Sequence, residues 1–166
     1  MNEILALKQE LLEGNFDEAI KLITELETMS RQDKVNAIEN FLALMVSRLI
    51  VIQVATDYLF QSHINDIRNC LIEIQQRNRL GGNFFISEDN WLNHYQNVVP
   101  YAILIAAETT ELWDDEIDPE QLQSMLDFEK LNSETFKLIR LIYNLNILEL
   151  DKYLRSNWSD RQMYRN

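Results

Sequence analysis

The chain has 166 residues, about the size of one domain, and 46% hydrophobic with 25% charged residues argues for a sizeable core and against wholesale disorder. A formal net charge of −12 with no basic run argues against direct nucleic-acid binding and against docking on an anionic membrane. Three Gly and two Pro leave too little turn chemistry for a β fold and point to an all-α protein.

The first helix is expected from Glu3 to Glu13, capped by Asn2 and stopped by Gly14, with Ile4, Leu5, Leu7, Leu11 and Leu12 on one face. A second, Phe16 to Met29, starts after Asn15 as cap, with Asp17 and Glu18 in its first turn where the helix dipole favours acids. Ser30 with Asp33 three residues on reads as a new capping box. The third helix, about 31–54, contains the run Phe41 to Val54 and is apolar nearly all round, the mark of a buried central helix. The longest apolar stretch, 41 to 55, contains Arg48 and falls short of the ~20 residues that span a bilayer.

A fourth helix follows, about Ser62 to Leu80, with Ile64, Ile67, Leu71 and Ile74 as its stripe, stopped by Gly81-Gly82 in the loop GGNFFISED. A fifth runs from after Ser87 to about Leu112, with a kink or short break expected at Pro100. Asp118 as cap with Pro119 at the first helical position starts a short sixth helix. A last helix, Ser133 to Arg155, has more apolar positions than one docking face needs. Either it is well buried or one stripe meets another chain. The tail 156–166 is expected to fray. The expectation is a single helical bundle over 1–155, of about six or seven helices around a central apolar helix.

The stretch GNFDEAIKLI looks like one tetratricopeptide unit, but no second copy follows about 34 residues later. A different resemblance spans about residues 10 to 127. The order Leu11, Leu12, Gly14, Phe16, Asp17, Glu18, Leu22, Ile23, Glu25, Glu27 and Met29 opens it. Pro100, Ala102, Ala106, Ala107, Glu108, Thr109 and Leu112 continue it, with Glu120-Gln121-Leu122 beyond an acidic loop. In these residues the chain resembles the bacterial family catalogued as domain of unknown function number twenty-nine. The resemblance implies a small helical fold and no activity, and makes the last helix an addition. Members usually carry a His, a Lys and a Trp near the end of the central helix, where this chain has Arg48, Val51 and Ile52. A Trp and an Arg usual in the next helix fall at His63 and Leu71.

No catalytic, cofactor-binding or metal-ligating residues are assigned, and no cofactor is expected. His63 and His94 lie on different helices without metal-ligand spacing, and no ExxH occurs. Cys70, the only cysteine, sits between Ile67 and Ile74 and should pack as a small apolar group. Arg48 inside an apolar run must reach water or a carboxylate, with Glu25, Asp57 and Glu108 as candidates. Arg48 and His63 are thus the candidate buried polar site. Trp113 with Asp114, Asp115 and Glu116 is the candidate partner-binding loop, since aromatics dominate interface hot spots. The expected function is a non-enzymatic, cytoplasmic interaction or regulatory module with a protein partner and self-association through the last helix. The alternatives are an enzyme, or a subunit associated with one, with a site near Arg48, His63 and His94, and an acidic nucleic-acid mimic.

Overall fold

Seven helices and one two-stranded ladder make up residues 2–54, 60–109 and 117–157, which the computed structural model describes. In chain order they are α1 (Asn2–Leu12), α2 (Phe16–Val54), α3 (Phe60–Arg77), β1 (Arg79–Leu80), β2 (Asn83–Phe84), α4 (Leu92–Glu108), α5 (Pro119–Met125), α6 (Phe128–Asn144) and α7 (Ile147–Asn157). The fold is all-α, as composition requires. By its internal contacts the chain divides into two compact units, Met1–Ala37 and Ile38–Asn166. The division falls inside α2.

The expected helices 16–29 and 31–54 are one helix of 39 residues. Ser30 is helical and not a cap, so the corner at Gly14 joins α1 to the same helix that carries the apolar run. No Gly or Pro lies between Phe16 and Val54. The Thr24 and Thr28 hydroxyls donate to the carbonyls of Ile20 (3.0 Å) and Thr24 (2.9 Å), which lets both sit inside the helix. A cap signal ends a helix only when the chain gains by leaving it.

The expected last helix is two helices. Asn146 breaks it through a reciprocal capping box: its Oδ1 accepts from Glu149 N (2.9 Å), and its own N donates to Glu149 Oε2 (3.1 Å). From α3, Gln75 Nε2 donates to the carbonyls of Ile142 (3.0 Å) and Leu145 (2.6 Å), satisfying backbone acceptors that the end of α6 leaves open. Asp127 starts α6 by accepting from Lys130 N (3.1 Å). Gln53 grips that residue's backbone, donating to Asp127 O (3.0 Å) and accepting from Asp127 N (2.8 Å). Asp118 caps α5 as expected, accepting from Glu120 N (3.1 Å), with Pro119 at its first position. Helix α4 continues through Pro100 without a break.

The core of the second unit is assembled from Ile38, Leu42, Met45, Leu49 and Ile50 of α2, Ile67, Leu71 and Ile74 of α3, and Leu131 and Leu138 of α6, all fully buried. Among the described residues α2 alone is long and apolar enough to cross a membrane. Its apolar half is the half buried here. On α6 and α7, Leu138, Ile139, Ile142, Leu150 and Leu154 face inward, so the apolar surplus of the last segment is spent on the core.

Arg79 pairs with Phe84 and Leu80 with Asn83 across the two-residue loop Gly81-Gly82. Gly81, at φ +58°, occupies the left-handed position that such a tight hairpin demands. A Cβ there would meet open space, so Gly81→Ala tests backbone strain alone. We expect it to cost about 1–2 kcal/mol. Urea denaturation should show this for Gly81→Ala and a markedly smaller change for Gly82→Ala.

Candidate functional site

In the first unit, Met1–Ala37, α1 ends in a Schellman motif built on Gly14 at φ +77°. Asn15 N donates to Glu10 O (2.9 Å) and Gly14 N to Leu11 O (3.3 Å), closing the last turn. Asn15 was expected to cap the next helix with its side chain. Instead its Nδ2 donates back to Glu10 Oε2 (2.9 Å), tying the corner to α1. The corner is well made, yet it leaves the apolar surface on either side of it uncovered.

Ala19 is the one buried side chain among the described residues of this unit. Leu7, Leu22 and Leu26 are half-buried. Ile4, Leu5, Leu11, Leu12, Phe16, Ile20, Ile23 and Met29 are all exposed, Phe16 by 64% and Leu12 by 79%. Phe16, Ile20 and Ile23 fall within about 60° of each other around the helix axis, so they form one stripe beside the half-buried seam. Eight large apolar groups open to solvent in so short a segment exceed the scattered single exposures normal for a monomer surface. Sequence periodicity found both apolar faces; it could not show that the segment lacks enough partners to cover them.

The second unit contains a closed polar network where the hairpin meets α4 and α6. Asn78, buried at the end of α3, accepts from Ile86 N through Oδ1 (2.8 Å). Its Nδ2 donates to Ile86 O (2.9 Å) and to Tyr143 Oη (3.0 Å). Trp91 Nε1 donates to the same phenol oxygen (2.5 Å), and the Tyr143 hydroxyl donates to Ile86 O (2.5 Å). A phenol has one proton and two lone pairs, and all three are used. Burial pushes the Tyr143 phenol above its ordinary pKa, while the Trp91 and Asn78 donors pull it back. No sequence motif announces this network, because its members are 52 and 65 residues from Tyr143.

The predicted site residues separate. Arg48 Nε donates to Asp66 Oδ2 (3.0 Å), and neither Glu25 nor Glu108 is its partner there; Asp57, the third candidate, lies outside the described residues. His63 is buried on α3, one helical turn before Asp66. His94 is elsewhere, with Nδ1 2.8 Å from Glu39 Oε1. Glu39 and Arg48 are nine residues apart on α2, about 13 Å along the axis, so His94 does not join Arg48. Trp113, Asp114, Asp115 and Glu116 lie outside the described residues. No group of three or more His, Cys, Asp or Glu among the described residues is placed to hold a metal ion.

Cys70 packs against the core, and burial, helped by the Asp66 carboxylate, pushes its thiol up to about 12. The thiol is therefore unreactive at neutral pH, since the thiolate is the nucleophile. The linkage has a definite sign. Unfolded chain ionises near the ordinary thiol value of 9.0 while the folded thiol stays protonated to about 12, so stability present below pH 9 is lost across that window. Urea midpoints from pH 8 to 11 should fall less steeply in Cys70→Ala than in wild type; parallel slopes would refute the assignment.

No family model, curated protein or solved structure matches the chain. The fold and surfaces define its class: a helical protein whose second unit holds a closed core and whose first carries an uncovered apolar face.

Proposed function

We propose that the protein is a non-enzymatic interaction module of the cytoplasm, and that its first unit docks a basic amphipathic helix of another protein. The observation that carries this is the eight exposed large apolar side chains of residues 1–37, with Phe16, Ile20 and Ile23 as the central stripe. Helix-in-groove recognition uses anchors at such i, i+4, i+7 spacing. Charge selects the occupant. The segment has eight acidic against four basic residues, and the whole chain is at −12, so Lys and Arg flanking the partner's apolar face would be attracted. A second copy would bring like charge against like charge. Self-association through the last helix has less to work with, because Leu148, 81% exposed, is the one strongly exposed apolar residue of α7. The resemblance to a helical family brings no activity to this reading.

Site-specific photo-crosslinking in the native host tests it. A photo-reactive residue at Ile20 should give one discrete heterologous protein adduct, and the same residue at Leu148 should not. Light scattering should find a monomer. An adduct only with a second copy would replace the occupant, and no adduct at Ile20 would sink the reading.

A further inference from the structure

The second unit holds a cavity of about 750 Å³ between the second half of α2 and α4, within the size range of small-molecule sites. We propose that it is a binding site for a linear aliphatic polyamine, an inference independent of the docking face on the first unit. Among the described residues the lining has two carboxylates, Glu39 and Glu108, and no Lys or Arg. Glu39 is held beside His94, 2.8 Å from its Nδ1, so it marks one end of the groove. Glu108 is the last residue of α4 and marks the other. From His94 to Glu108 the helix rises about 21 Å, the length of an extended tetraamine such as spermine with a hydrogen bond from each terminal ammonium.

The local electrostatics at Glu108 are independent of the cavity's shape. The C-terminus of a helix carries partial negative charge and favours Lys, Arg or His⁺ in its last turn. Helix α4 has no basic residue there, and places a carboxylate there instead. Such a local violation is the kind that folds retain at functional positions. A bound ammonium removes it. Between the ends, Ala43 and Val98 form an aliphatic floor for methylene groups, and Asn40 and Asn97 offer amide oxygens. Tyr101, 64% exposed, presents a ring face that attracts cations. Anionic ligands meet repulsion throughout, and a neutral ligand gains nothing from either carboxylate.

Titration calorimetry of the full chain with spermine tests this, with Asp89→Asn as a charge-matched control in the exposed loop before α4. Wild type and Asp89→Asn should bind one spermine saturably and alike, and Glu108→Gln should weaken binding by about tenfold through loss of one of two anchors. Leu104→Lys, which tethers an ammonium on the groove wall, should abolish binding while leaving the melting profile unchanged. Triethylene glycol should give no heat of binding. Equal weakening in Glu108→Gln and Asp89→Asn would mean diffuse attraction to an acidic surface and would overturn the proposal. So would wild-type affinity in Leu104→Lys, or no saturable binding at millimolar spermine.

Discussion

Asn78→Ala should lower the stability of the protein by about 3 kcal/mol, the largest loss expected from any single polar side chain here. The substitution removes three hydrogen bonds at a buried position and leaves the Ile86 N–H without its partner. Ile86 O still accepts from Tyr143, so one side of the hairpin stays attached. Tyr143→Phe removes a different set: the indole of Trp91 loses its acceptor, while Asn78 keeps both bonds to Ile86. Its expected cost is smaller, about 1–2 kcal/mol. Urea denaturation of the two variants gives the order directly, with the slope unchanged and the midpoint shifted. A chain of this size should lose about 2–4 °C in Tm per kcal/mol, so Asn78→Ala should melt roughly 6–12 °C lower. If Tyr143→Phe proves the more damaging variant, Asn78 is not the hub of the network.

Phe16→Asp and Ile20→Asp should have the opposite profile, a large effect on binding and almost none on stability. Both side chains are more than 60% exposed in the free protein, and surface substitutions usually stay within about 0.5 kcal/mol. In the complex each would bury an unpaired carboxylate at the centre of an apolar contact. Loss of a central anchor costs about 2–4 kcal/mol, which is roughly 30- to 1000-fold in affinity. Crosslinking yield from Ile23, across the same stripe, should fall accordingly. Ala19→Asp is the contrasting variant. Ala19 is buried, so a carboxylate there should unfold residues 1–37 and abolish their protection from hydrogen exchange. Equal stability losses in Ile20→Asp and Ala19→Asp would mean that the stripe is already covered in the free chain.

How far the sequence was legible depended on whether a signal was local. Asp118-Pro119 states the start of α5 in two adjacent residues, and the structure has it there. Asn146-x-x-Glu149 states the start of α7 as clearly, but the apolar residues on both sides of it suggest one long helix. Ser30 carries the same kind of signal and does not act, because nothing nearby breaks α2. Local chemistry proposes caps, and packing decides among them. Burial of the central apolar run followed from its lack of a polar face. Partners did not follow. Arg48 needed a carboxylate, but choosing Asp66 requires the register between α2 and α3, and His94 meets Glu39 across 55 residues. The cavity was invisible for the same reason, since Glu39 and Glu108 share nothing in the linear chain. The exposed stripe was visible as a pattern, and its exposure was not, because exposure depends on what the rest of the chain does not cover.

The contact between Trp91 and Tyr143 also gives the protein an optical probe of its own. An indole that is fully buried and donating to a phenol emits in a rigid, water-poor setting, and Tyr143 is close enough to pass its excitation to it. With Trp113 and Trp158 replaced by Phe, emission would come from Trp91 alone. Its colour would then follow the closure of the hairpin against α4 and α6 in real time. Excitation of tyrosine would separate loss of that contact from simple wetting of the indole. The second unit could thus be followed through folding without an added label.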